Sequence, residues 1–254
     1  MTSSPTVGAD HVRPALSSGR AVVLPNPAPL TYVVAATAPH AVNLAKGRPA
    51  DQAVALWLHH PRTAGTVIDA LALGPDTAAA ARRLLTEERV TLLAPLREDH
   101  PLPDWMAPAA KDGWTLLFGA RWAPLLPVLE DHPVLYVSSA NRTGHPPAAT
   151  ASAARAMFPG DVPVLDPASL PGTGEERETA PRAATTTVRL HSDGSVELHR
   201  NGAQDRLYPP GGYVDHLRST YRLPGDRALS ADDHPRTSHE RTSGPDGPRE
   251  ASRR

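Results

Sequence analysis

Apolar and polar positions alternate in short blocks, and each block predicts one element. Val22-Val23-Leu24 within residues 20–24 is a compact apolar run stopped by Pro25, which predicts a buried strand. Asn26-Pro27-Ala28-Pro29 is a turn by its prolines. Residues 30–36, with Tyr32, Val33 and Val34, predict a second strand, and residues 40–45 a short helix ending at the loop Lys46-Gly47-Arg48-Pro49. The run at 54–59 is apolar again. Residues 64–73 and 76–85 have helical spacing, with Asp76 as the expected N-cap. Strands are predicted at 90–94, 114–118, 134–137 and 162–165, and helices at 124–129 and 148–157. Residues 166–183 read as a polar loop. Residues 185–190 and 196–199 form a hairpin across Ser192-Asp193-Gly194.

Strands alternating with helices, closed by a hairpin, predict a mixed α/β domain over residues 13–205. Residues 1–12 read as a flexible leader. Residues 206–254 read as a largely disordered tail, because beyond 225 few large apolar side chains remain to offset the ordering entropy.

Composition narrows the chemistry. Cysteine is absent, which removes thiolate metal sites, disulfides and cysteine nucleophiles, and agrees with a reducing, cytoplasmic setting. Aromatic residues are only 4%, so the core must be aliphatic. The net charge of −1 argues against a globally basic nucleic-acid binder. No apolar run is long enough to span a membrane. The chain has two lysines, Lys46 and Lys111, against 24 arginines. A lysine kept against that bias is a candidate for a role arginine cannot fill. No phosphate-binding glycine loop, HExxH or GxSxG motif is present, and the twelve scattered histidines suggest no metal site.

Two constellations remain. Lys46-Gly47-Arg48 can point two cations at one anion from a loop that a glycine lets close tightly. Taken alone, the pair reads better as two solvated surface cations. Ser138-Ser139-Ala140-Asn141 lies at the C-terminal end of an apolar strand, where open α/β sheets place ligand-binding groups. Taken alone, it reads better as a turn or a helix N-cap.

Together, KxR and SAN-x-x-G-x-P about 90 residues later resemble the YrdC-type family of threonylcarbamoyl-adenylate synthases. Leu16 to Pro25 is similar to the family's opening strand. Ala36-Thr37, Ala41-Val42 and Lys46 to Pro49 resemble its AT…AV…KGRP segment. Asn141 to Pro146, Thr186-Thr187-Val188 and Arg200 to Ala203 resemble three further motifs. The resemblance implies a YrdC-like twisted mixed sheet with flanking helices and an open concave cavity. It implies formation of threonylcarbamoyl-AMP and pyrophosphate from ATP, bicarbonate and L-threonine, with Mg2+, for tRNA threonylcarbamoyladenosine modification. By position, Lys46 and Arg48 would be catalytic. Ser138, Ser139, Asn141, Thr91, Thr186 and Arg200 would bind nucleotide and substrate. Double-stranded RNA and the tRNA threonylcarbamoyl transferase machinery are further partners that the resemblance implies.

The chain also departs from that pattern. Where the family has a threonine-binding P-T-D/E-T-V-Y-G-L segment, this chain has Pro25 to Tyr32, without the paired threonines and acidic residue. Of the family's P-G-P-x-T only Thr91 persists, and Arg121 is displaced from the family's R-x-P-x-H position. The C-terminal accessory domain of longer members is expected to be missing, with a disordered tail in its place. Three readings stand: a divergent synthase, a carbamoyl-adenylate-forming enzyme with another acceptor, or a catalytically silent module binding ATP or double-stranded RNA.

Overall fold

The structure is a computed structural model that describes residues 6–158, 160–173 and 181–224. In chain order its elements are β1 (Thr6–Val7), α1 (Ala9–Ser17), β2 (Val22–Leu24), β3 (Val33–Ala36), α2 (Pro39–Ala45), β4 (Ala55–Trp57), α3 (Pro61–Asp69) and α4 (Pro75–Arg83). After a π turn at Leu84–Glu88 come β5 (Thr91–Pro95), β6 (Ala110–Lys111), β7 (Trp114–Phe118), α5 (Leu126–Leu129) and β8 (Tyr136–Ser139). The chain continues with α6 (Ala151–Met157), β9 (Val164–Leu165), β10 (Thr187–Leu190), β11 (Val196–Arg200) and α7 (Gly212–Tyr221).

Ten strands form one mixed sheet in the order β1-β9-β2-β3-β8-β4-β7-β5-β10-β11, and β6 pairs beside them with β7. Central strands are buried on both faces, which is why they read as unbroken apolar runs. Successive side chains divide between the faces. Val34, Ala36, Leu56 and Leu117 join one core with Val42 of α2, Val67 of α3, Ala81 of α4, Ala154 of α6 and Leu217 of α7. Val33, Ala35, Trp57, Phe118 and Val137 join the other, covered by Val12 and Leu16 of α1 and Leu129 of α5. Five helices thus supply the first core and two the second.

Both ends of the domain extend beyond the bounds predicted from sequence. Residues 1–12 were expected as a flexible leader. Instead Thr6–Val7 pairs in parallel with β9, and α1 buries Val12, Ala15 and Leu16 completely. The i, i+3, i+4 spacing of those three side chains gives the helix one apolar stripe. The tail expected from residue 206 is likewise structured as far as 224. Tyr213, Leu217 and Tyr221, four residues apart, turn one face of α7 into the core. The Tyr213 and Tyr221 hydroxyls donate to the two carboxylate oxygens of Glu88, at 2.9 and 3.1 Å. Residues 1–5 and 225–254 lie outside the described residues. A smaller difference concerns α4. Gly74 is its N-cap and Pro75 its first residue, so Asp76 sits within the first turn, where its charge suits the helix dipole.

Candidate functional site

Two loops meet at the C-terminal end of β8. Helix α2 ends at Lys46, and Gly47, with φ +67°, turns the chain so that Arg48 N donates back to Asn43 O. The facing loop follows Ser139. Thr143 ties the two together, its amide donating to Lys46 O at 3.1 Å.

Lys46 lies under this junction, 4% exposed. Its Nζ donates to Ser139 O and, at 2.7 Å, to Asn141 Oδ1. Ser139 Oγ donates to the same Oδ1 at 2.6 Å. The Asn141 amide nitrogen donates to His145 O and Arg142 O, at 2.9 and 3.1 Å. Those bonds fix the amide so that its oxygen faces the lysine. Arg48 Nη2 donates to Ser138 Oγ at 2.7 Å, while its Nε is buried with no hydrogen-bond partner among the described residues. Among the described residues, Lys46, Arg48 and Arg200 form no ion pair with a carboxylate. Burial, then the nearby charges of Arg48 and Arg200, push the Lys46 ammonium down to a pKa of about 7.

Beside the cluster is a cavity of about 260 Å3. Its floor is the sheet face carrying Val33, Leu116, Phe118 and Val137. Arg48, Arg200, Ser138 and Ser139 line it together with Asn26, Thr31, Thr91 and Thr185. No Asp or Glu lines it among the described residues. The donors are cationic or neutral, a set suited to phosphate and carboxylate oxygens.

The structure therefore brings together Lys46, Arg48, Ser138, Ser139 and Asn141 in one bonded network, with Arg200 exposed on the cavity wall. Thr91 also reaches the cavity, its hydroxyl 2.6 Å from that of Thr185. Thr186 does not. It is fully buried; its hydroxyl donates to Asp205 Oδ1 at 2.6 Å and accepts from the amides of Gln204 and Asp205. It shapes the turn behind the cavity, and Thr185 takes the cavity-facing place. Gly202 belongs to the same turn. A Cβ there would fall 2.2 Å from Thr186 N, so only glycine allows the close approach. Arg121 does not line the cavity.

Asn26 and Thr31 were not foreseen as site residues. The prolines around Asn26 read only as a turn, and Thr31 read as part of a strand. The available signal was two polar residues set among side chains that are otherwise buried and apolar.

No protein-family model matches the chain, and no curated protein matches it. Solved structures do. The chain is similar to P. abyssi Sua5 complexed with L-threonine, at 21% identity and a TM-score of 0.55, covering 78% of this chain and 56% of that one. It is similar to E. coli YciO at 10% identity and a TM-score of 0.55, covering 77% of this chain and 89% of that one. It is also similar to full-length HypF in the phosphate- and nucleotide-bound form, at 15% identity and a TM-score of 0.53. The fold is YrdC-like. The match to HypF covers 79% of this chain but 30% of HypF, so the YrdC-like domain corresponds to one part of a larger protein there. Identities this low establish the fold, while the chemistry rests on the residues lining this cavity.

Proposed function

We propose that this YrdC-like domain catalyses nucleotidyl transfer, forming threonylcarbamoyl-AMP and pyrophosphate from ATP, bicarbonate and L-threonine for tRNA modification. The observation that carries the reading is the trio Lys46, Arg48 and Arg200 beside a hydroxyl-lined cavity with no carboxylate among the described residues to neutralise it. Such a cluster is stable chiefly when an anionic ligand supplies the missing charge. The L-threonine in the Sua5 complex and the phosphate and nucleotide in HypF give the reading further support.

In the proposed step, an oxygen of the carbamate group of N-carboxylated threonine attacks the α-phosphorus of ATP. The new O–P bond forms as the bond to the β-phosphate bridging oxygen breaks, and pyrophosphate leaves. Arg48, Arg200 and Lys46 offset the negative charge of the phosphates, and fixed donors do so without reorganising. A cavity of about 260 Å3 is small against the roughly 300–1,000 Å3 of ordinary small-molecule sites. It suits the acceptor and the reacting phosphate, with the rest of the nucleotide across the open surface. The described residues include no group of three metal-ligating side chains. Magnesium would therefore enter with the triphosphate as part of the substrate.

The altered Asn26–Thr31 segment favours a second reading, in which the same transfer uses a different acceptor. One experiment separates the readings. Purified protein is incubated with ATP, Mg2+, bicarbonate and L-threonine, and products are read by mass spectrometry. Threonylcarbamoyl-AMP with equimolar pyrophosphate, lost in Lys46→Ala, supports the synthase. Pyrophosphate only with another amino or organic acid supports the retargeted enzyme. Neither product with any acceptor overturns both.

A further inference from the structure

We infer that Arg182 is a positioning residue that holds the Asn26–Thr31 loop as the acceptor-side wall of the cavity. The inference rests on the nucleotidyl-transfer reading for the word acceptor, and on geometry for the clamp.

The loop needs such a clamp because of its sequence. Pro25, Pro27 and Pro29 have no N–H, so the segment carries more backbone acceptors than donors. Its carbonyls cannot all be satisfied from within, and Asn26, Leu30 and Thr31 are all buried. Arg182 supplies donors from far along the chain. Its Nη1 donates to Asn26 O at 2.9 Å and to Leu30 O at 2.8 Å. Its guanidinium carbon stands 5.9 Å from the centre of the Tyr32 ring, close enough for a cation–π contact.

Backbone bonds complete the strap. Ala183 N donates to Pro29 O and Thr31 N donates to Ala183 O, each at 2.9 Å. Within the loop, the Asn26 amide nitrogen donates to Thr31 O at 2.9 Å. Residues 182 and 183 thus fix the two loop residues that line the cavity. The same strand entry carries Ala184 and Thr185 into the wall. Arg182 does not itself line the cavity. It acts through the loop, on the wall that carries Asn26 and Thr31.

The test compares Arg182→Met, which keeps the aliphatic stem and removes the donors, with Arg182→Lys, which keeps one donor. Hydrogen exchange is followed at the amides of residues 26–32, and steady-state kinetics at varied acceptor and varied ATP. The expected result for Arg182→Met is at least tenfold faster exchange in that segment. The acceptor KM should rise at least tenfold while the KM for ATP stays within twofold, and Arg182→Lys should fall between. Unchanged exchange overturns the clamp. Faster exchange with an unchanged acceptor KM overturns the positioning role, as does an equal rise in both KM values. If Arg182→Met does not fold, Arg182→Lys against the native protein decides by the same criteria. If the native protein forms no adenylate at all, the functional reading fails, and exchange over residues 26–32 alone decides the clamp.

Discussion

Lys46 is expected to take up a proton when Mg-ATP binds. In the ligand-free protein its ammonium is held at about 7, against the ordinary lysine value of 10.5, first by burial and then by Arg48 and Arg200. At 1.36 kcal/mol per pKa unit, the displacement is about 5 kcal/mol between the charged and neutral forms. A bound polyphosphate supplies the counter-charge that the site lacks, and so restores the ammonium. At pH 8 the free protein holds about 0.1 proton on Lys46 and the complex close to one, an uptake of about 0.9 proton. The same shift acts on folding. Below pH 7 the lysine is charged in both the folded and unfolded chain, and the full cost is present. From pH 7 to 10.5 the unfolded chain holds more protons, so stability rises with pH across that window. Above it the cost is gone. The assay is calorimetric titration with Mg-ATP at pH 8 in two buffers of different ionisation enthalpy, where the triphosphate is already ionised. The difference in observed heat gives the protons taken up. Lys46→Met should abolish the uptake and flatten the rise of stability from pH 7 to 10.5. Binding without proton uptake, or equal uptake in the variant, would refute the reasoning.

Three further outcomes follow from the geometry. Arg48→Lys should weaken Mg-ATP binding at least tenfold in the same titration, because a point charge does not reproduce the guanidinium that reaches Ser138 while lining the cavity. An unchanged affinity would remove Arg48 from the site. Gly202→Ala should cost about 1–3 kcal/mol in denaturant unfolding, since the added Cβ meets backbone atoms of Thr185 and Thr186 that cannot swing aside. A chain ending at residue 205 should lose at least about 4 kcal/mol, at roughly 1.5–3 kcal/mol for each large apolar side chain buried by α7. Equal denaturation midpoints for the short and full chains would show that α7 contributes nothing.

The central sheet was legible because its strands are buried on both faces and leave continuous apolar runs, as Val22–Leu24 and Val33–Ala36 do. The ends were not. In α1 the apolar stripe is only Val12, Ala15 and Leu16, interrupted by His11, Arg13 and Pro14. In α7 the buried face includes two tyrosines whose hydroxyls need Glu88, more than a hundred residues away in sequence. No local window shows that partner. The site divides in the same way. Lys46, Arg48, Ser139 and Asn141 stand in short motifs, so their types and spacing could be read directly. Asn26 and Thr31 lie in a proline-rich loop held from far along the chain, by the Arg182 side chain and the Ala183 backbone. Thr186 stood in a motif and was assigned to the cavity, yet Asp205 draws its hydroxyl into the turn behind. Adjacent threonines on an extended backbone point to opposite sides, and a shift of one residue decides which of them faces the ligand. The scarcity of lysine drew attention to Lys46, which the structure buries in the bonded network beside the cavity. In the buried place at the end of α2 a lysine can give up its proton near neutral pH, whereas an arginine would remain charged. Its retention thus fits a site that must tolerate both an empty and an anion-filled state.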